Sequence, residues 1–127
     1  MLIVSLLLNI VVLVPVVAAL ALNTRRGGDA GPRFPWGSRT PARDILLAIY
    51  IAILTASAAL LAVVATVGPS VAVEAAAVAL FAVQIVYKAL TAVTVRDALR
   101  NPVVLSNLGI AAVHAVTVAT LGASVFR

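Results

Sequence analysis

Four long apolar stretches make up most of this chain of 127 residues, and their length decides which solvent the protein folds in. They run from about 1 to 22, 42 to 67, 69 to 95 and 102 to 126. An α-helix needs about 20 apolar residues to cross the hydrocarbon core of a bilayer, and each stretch reaches that length. Because lipid offers the backbone no hydrogen-bond partner, each stretch is expected to form a helix that satisfies its own N–H and C=O groups.

The connections between the stretches predict how the helices are arranged. Gly68-Pro69 is the whole turn between the second and third stretches, with Pro69 opening the third helix, and the third and fourth stretches are joined by a similarly short segment. Links this short place consecutive helices side by side and antiparallel. Thr40-Pro41 and Asn101-Pro102 each combine a capping residue with a proline that suits the first helical turn. The sequence therefore predicts an all-α integral membrane protein, a single antiparallel up-down bundle of four transmembrane helices.

The composition excludes several kinds of chemistry. The chain has no cysteine, which removes disulfides, thiolate metal sites and cysteine nucleophiles. Its one histidine, His114, cannot by itself supply both axial ligands of a haem. Intramembrane catalysis usually relies on paired acids, a Ser/His or Ser/Lys dyad or several metal ligands, and no such set is recognisable. We therefore predict that the protein is not an enzyme and binds no metal or cofactor.

The basic residues cluster in connections beside the apolar stretches. Although the net charge is +5, this placement favours contact with anionic lipid headgroups over nucleic acid. Segment 23–41 is the only long polar connection, and its Trp36 is expected to lie at the membrane interface. The predicted headgroup-contacting and orienting residues are Arg25, Arg26, Arg33, Arg39, Arg43 and Trp36.

The same residues predict the orientation. The first and third connections must lie on one side because two crossings separate them, and they hold nearly all of the arginines. The positive-inside rule then places both connections in the cytoplasm and both termini outside. A composition rich in alanine, valine and arginine with almost no lysine is typical of a GC-rich bacterial genome, so the expected location is the bacterial plasma (inner) membrane.

Polar residues at membrane depth are the candidates for function, since they are costly to place there. Helical periodicity puts Gln84 and Lys88 on one face of the third helix, and Asn107, His114 and Thr117 on one face of the fourth. His114 lies about 18 Å along its helix, near the bilayer middle. Counting from the connection places Gln84 near the level of His114, and Lys88 near Asn107. These residues form a candidate intramembrane polar cluster of Gln84, Lys88, Asn107 and His114, which Ser5 and Asn9 of the first helix could also face.

Each member of the cluster also has a simpler interpretation. Lys88 is about 10 Å from its helix end, and the sequence favours snorkelling of its ammonium group to the interface over an interior role. Gln84 and Asn107 can act solely as hydrogen-bonding links between helices. The sequence leaves two roles for His114, neutral packing and proton transfer, because histidine titrates near neutral pH.

Two functions fit these features. The first is a small multi-pass plasma-membrane protein without a specified role, acting as an accessory or self-assembling subunit in a homo-oligomer or a larger membrane complex. Small residues spaced four apart on the fourth helix, at Ala111, Ala115, Ala119 and Ala123, predict a tight helix seam within the bundle or between protomers. The alternative is a small oligomeric transporter or channel with a proton- or cation-linked path along the third and fourth helices.

Overall fold

The computed structural model describes residues 1–25 and 39–125, and these ranges contain four long α-helices and no strand. The helices are α1 (Leu2–Arg25), α2 (Pro41–Thr66), α3 (Val71–Thr94) and α4 (Pro102–Val125), with a short 3-10 turn, Ala98–Arg100, between α3 and α4. Each of the four is long and apolar enough to cross a membrane. The predicted all-α fold with four membrane-spanning helices is confirmed.

Consecutive helices are neighbours in the bundle. The widest contacts join α3 to α4 and α1 to α2, and narrower seams join α1 to α4 and α2 to α3. The bundle therefore has two ends: the first and third connections join the helices at one, and the chain termini and the α2–α3 turn lie at the other. The basic end holds Arg25, Pro41, Thr94 and Pro102, and the terminal end holds Leu2, Thr66, Val71 and Val125.

Side-chain caps determine where two of the helices begin. The Thr40 hydroxyl accepts a hydrogen bond from the backbone N–H of Arg43 at 3.2 Å, and Pro41 is the first residue of α2. The Asn101 side-chain carbonyl accepts from the backbone N–H of Val103 at 2.9 Å in the same way. These caps satisfy N–H groups that have no partner inside the helix, and both starts lie where the sequence predicts them.

The α2–α3 turn differs from its prediction in one respect. Gly68 has φ of +90°, a left-handed conformation that glycine adopts without strain, as expected for the end of a helix. Pro69, however, does not open α3. The Ser70 hydroxyl accepts from the backbone N–H of Val73 at 3.4 Å, and α3 begins at Val71. A serine can satisfy a free N–H at a helix start and a proline side chain cannot, so the cap decides the boundary.

The bundle is apolar on its outside and partly polar inside. Large aliphatic side chains such as Val11, Val83 and Val93 are 68%, 68% and 82% exposed, which suits contact with lipid chains. Two apolar clusters fill the interior. The terminal-end cluster consists of Leu2, Leu6, Val64, Ala77 and Phe81, and the basic-end cluster consists of Leu13, Leu20, Tyr50 and Ile53.

The alanine series of α4 does not form a seam within the bundle. Ala111 is buried, whereas Ala115, Ala119 and Ala123 are exposed on the outer surface. The polar face of α4 is turned inward instead, because an unpaired polar group in lipid costs more than a small side chain gains by close contact. A seam between protomers at these alanines stays a prediction.

Candidate functional site

Polar side chains from all four helices meet in the interior of the bundle, beside the two apolar clusters. We call this set the polar ladder. It consists of Ser5, Asn9, Ser57, Gln84, Lys88, Asn107, His114 and Thr117, each less than 9% exposed. In lipid each of these groups would lack a hydrogen-bond partner if it faced outward, and turning the polar faces together lets most of them pair.

Asn9 is the central link of the ladder. Its Nδ2 donates to the Ser57 hydroxyl at 3.0 Å, and its Oδ1 lies 3.0 Å from Nε2 of His114. Since Oδ1 can only accept, Nε2 carries the proton, and Nδ1 of the neutral ring is left as an acceptor. One asparagine side chain therefore joins α1, α2 and α4 and sets the tautomer of the only histidine.

The remaining helix, α3, reaches this level through an aromatic contact. The Phe81 ring of α3 stacks on the His114 imidazole, with ring centroids 4.6 Å apart and an angle of 20° between the planes. Neither side chain is exposed to any measurable extent. The stack holds the plane of the imidazole while Asn9 holds one of its nitrogens, so the ring has a defined orientation.

Towards the terminal end, the ladder continues through two hydroxyl groups. Ser5 Oγ and Thr117 Oγ1 are 2.8 Å apart, and Thr117 Oγ1 also donates to the carbonyl of Val113 at 3.1 Å. Because Thr117 has only one proton to donate, Ser5 is the donor between the two hydroxyls. Ser5 precedes Asn9 by one helical turn, so this pair is the next level along the axis.

Towards the basic end, the ladder holds a buried cation. Lys88 Nζ donates to Oδ1 of Asn107 at 3.2 Å and lies 5.1 Å from the centre of the Tyr87 ring. Lys88 is only 3% exposed, so its ammonium group stays inside the bundle and does not snorkel to the helix end. An amide acceptor and an aromatic ring within reach offset part of the cost of burying the charge.

Gln84 lies between these levels without a partner. Phe81, Gln84 and Lys88 occupy successive turns of one face of α3. His114 stacks on Phe81, so Gln84 lies about one turn closer to the basic end than His114, and not at the level of His114 that the sequence predicts. Among the described residues, neither amide atom of Gln84 nor Nδ1 of His114 has a hydrogen-bond partner. A buried polar group without a partner typically costs about 1–3 kcal/mol, so these three atoms, like the hydroxyl of Tyr87, are costly features of the interior.

The structure buries all four residues of the predicted cluster inside the bundle, in separate contacts, and adds Ser57, which the sequence does not single out. Lys88 and Asn107 meet directly, and His114 is linked to Asn9. Ser57 carries no signal of its own, because helical serines are common and its role depends on how α2 is rotated against α1. That rotation is a property of the assembled bundle and cannot be read from one helix.

The structure describes only some of the predicted headgroup-contacting residues. Arg26, Arg33 and Trp36 lie outside the described residues, as does the side chain of Arg25. Arg39 forms an ion pair with Asp44, with Nε and Oδ2 3.0 Å apart and both side chains partly exposed, and such surface pairs contribute little. Arg43 is 95% buried in the first turn of α2. Contact with lipid headgroups therefore stays a prediction.

Metal binding and family membership give no further guide to the function. Within residues 1–25 and 39–125, no group of three or more histidine, aspartate or glutamate side chains is placed to hold a metal ion. Comparisons of the chain with protein families, curated proteins and solved structures found no match. The polar ladder is therefore the feature from which a function has to be inferred.

Proposed function

We propose that this small multi-pass membrane protein moves protons across the membrane along the polar ladder. The observation that supports this most directly is the unpartnered group of Gln84 and His114 Nδ1 in the middle of a hydrogen-bonded interior. Ionisable and polar groups at membrane depth commonly mark proton relays.

The chemistry of the ladder suits protons better than larger solutes. The His114 imidazole has a protonated nitrogen, Nε2, and a free acceptor, Nδ1, so it can take up a proton on one side and release one on the other, and an imidazolium would be stabilised by the stacked Phe81 ring. Thr117 and Asn107, at the two ends of the α4 part of the ladder, are about 15 Å apart along the helix, roughly half of the hydrocarbon thickness. Four helices cannot enclose a wide aqueous pore around these side chains.

The terminal end of the ladder is closed by apolar side chains. Leu2, Leu6 and Val64 of the terminal-end cluster lie on the terminal-end side of His114, and Leu6 is fully buried. A proton that reaches His114 from this end must therefore wait for the cluster to move or for water to enter. This arrangement supports gated transfer in place of a permanently open channel.

The experiment that tests this function is a proton-flux measurement in liposomes. A potassium gradient with valinomycin sets the membrane potential, and a trapped pH-sensitive dye reports proton entry; we expect entry well above that of protein-free liposomes. Gln84→Leu removes the unpaired amide while keeping a similar volume, so it should retain the fold and reduce the flux. Thr55→Val is the matched control, because Thr55 is exposed on the outer face of α2. Flux in Gln84→Leu equal to that of wild type and the control would count against the ladder.

A second candidate function has its own supporting observation. Ala115, Ala119 and Ala123 are exposed on α4, and the space around Gly109 is open. Small residues on an outer helix face allow another helix to approach closely. This surface supports a self-assembling or accessory subunit, and it is compatible with proton transfer by an oligomer.

The geometry also supports the proposal that the protein is not an enzyme. Ser57 and His114 are both bonded to Asn9, and Ser57 Oγ is the acceptor in its bond. Each of the two side chains is thus bonded to Asn9 and not to the other, whereas a Ser/His dyad requires a direct bond between them.

For the orientation, we propose that the basic end faces the cytoplasm of a bacterial cell and that both termini lie outside the plasma membrane. The arginine distribution supports this, and a chain without cysteine makes it simple to test. Val67 and Leu99 are 81% and 74% exposed, in the connections at the terminal and basic ends. In intact cells a membrane-impermeant maleimide should label Val67→Cys and leave Leu99→Cys unlabelled until the cells are opened. The reverse pattern would invert the proposed orientation.

A further inference from the structure

A cleft of about 280 Å³ lies beside the basic half of the polar ladder. Its walls are formed by α1 and α4, including Val12, Val16 and Ile110, while Tyr50 of α2 and Lys88 of α3 lie at its inner side. The seam between α1 and α4 is one of the two narrow seams of the bundle. The cleft therefore opens sideways between these helices, on a surface that a bilayer would cover with lipid.

The cleft combines apolar walls with an isolated positive charge. Lys88 is 97% buried, lines the cleft, and gives one of its three ammonium protons to Asn107. Among the described residues, no carboxylate forms an ion pair with Lys88. A buried charge without a counter-charge is strongly unfavourable. An anion in the cleft would supply the counter-charge that the helices do not offer to Lys88.

The start of α4 adds to this preference for negative charge. Pro102, Val103 and Ser106, which belong to the first turns of α4, also line the cleft. The helix dipole gives the start of α4 a partial positive charge, which favours an anion nearby. The Lys88 ammonium group and the start of α4 thus both favour an anion in this cleft.

We propose that this cleft binds the head of an amphiphilic anion, a molecule with one negatively charged group and an alkyl tail, which enters sideways from the membrane. The anionic group pairs with Lys88, and the first carbons of the tail pack on Val12, Val16 and Ile110. Ligand pockets commonly measure about 300–1,000 Å³, so this cleft admits the head and the beginning of the tail, and the rest of the tail lies in lipid. The site does not depend on proton transfer by the ladder.

Two sources of this chemistry exist in a membrane: a free fatty carboxylate and the phosphate headgroup of an anionic phospholipid. They are separated by measuring the binding of radiolabelled oleate to the full chain in nanodiscs of phosphatidylcholine, with and without phosphatidylglycerol. We expect saturable binding that unlabelled oleate displaces and that the neutral analogue oleyl alcohol does not. Loss of oleate binding in discs with phosphatidylglycerol assigns the site to the phospholipid, and unchanged binding assigns it to the fatty carboxylate.

Two variants test whether the binding occurs in this cleft. Lys88→Met keeps an unbranched side chain of nearly the same length and removes its charge, and we expect oleate affinity to fall at least tenfold. Val12→Phe keeps Lys88 and fills the cleft from α1, so it should abolish oleate binding. This second variant keeps the test valid if Lys88→Met does not fold. Thr55→Val, on the outer face of α2, should bind like wild type. The proposal is overturned if wild type shows no saturable binding, or if oleyl alcohol displaces oleate equally well. It is also overturned if Val12→Phe, folded, binds as tightly as wild type.

Discussion

Proton entry into liposomes should fall to the protein-free rate when His114 is replaced by glutamine. His114 carries the only imidazole of the chain, with Nε2 protonated and Nδ1 free to accept, so no other side chain of the ladder can relay a proton through two ring nitrogens. Gln can still donate an amide proton to Oδ1 of Asn9, which keeps the link between α1 and α4. The substitution therefore removes proton binding and preserves the hydrogen bond.

A second variant at the same position separates loss of the proton carrier from loss of the fold. His114→Leu removes both the titratable ring and the donor to Asn9, and the stranded amide oxygen should cost about 1–3 kcal/mol of stability. We therefore expect both variants to lose the flux and only His114→Leu to unfold more easily in a denaturing-detergent titration. If a folded His114→Gln protein carried as much proton flux as wild type, the imidazole would only pack the interior.

Replacing Phe81 with alanine should cause the largest loss of stability in the described part of the chain. Phe81 is completely buried, belongs to the terminal-end cluster and stacks on His114. Phe→Ala substitutions in soluble cores cost about 3–5 kcal/mol through lost transfer energy and a cavity. In a bilayer the transfer part is small because lipid is as apolar as the interior, so we expect about 2–3 kcal/mol from the cavity and the lost stacking.

The comparison for this substitution is Val83→Ala. Val83 lies on α3 two positions from Phe81 but is 68% exposed, so its truncation should change the free energy of unfolding by no more than about 0.5 kcal/mol. The measurement is the free energy of unfolding in mixed micelles, followed by far-UV circular dichroism. Equal losses for the two variants would mean that Phe81 does not pack in the interior as the structure shows.

The overall fold could be predicted because the bilayer leaves few choices. Length and hydrophobicity alone indicate the four helices, and Gly68 marks a turn whose positive φ other residues rarely adopt. The start of α3 was less predictable: Pro69 and Ser70 are both good helix-start residues, and only the geometry shows which one satisfies the free N–H group.

The polar ladder could be predicted in part. Helical periodicity is enough to place Lys88 and Asn107 opposite each other across the α3–α4 hairpin, because one short connection sets their level. The burial of the Lys88 ammonium could not be predicted, since it depends on partners offered by Asn107 and Tyr87. The contacts between α1 and the other helices could not be predicted, because the long first connection leaves the depth and rotation of α1 undetermined by the sequence.

The proton flux of the wild-type protein is the most direct test of the account. Purified protein in liposomes is compared with protein-free liposomes and with His114→Gln at equal protein content, under the same potassium-driven potential. We predict proton entry with wild type and entry at the protein-free rate with His114→Gln. Wild-type entry no faster than that of protein-free liposomes, in a sample whose helices are intact by circular dichroism, would contradict it.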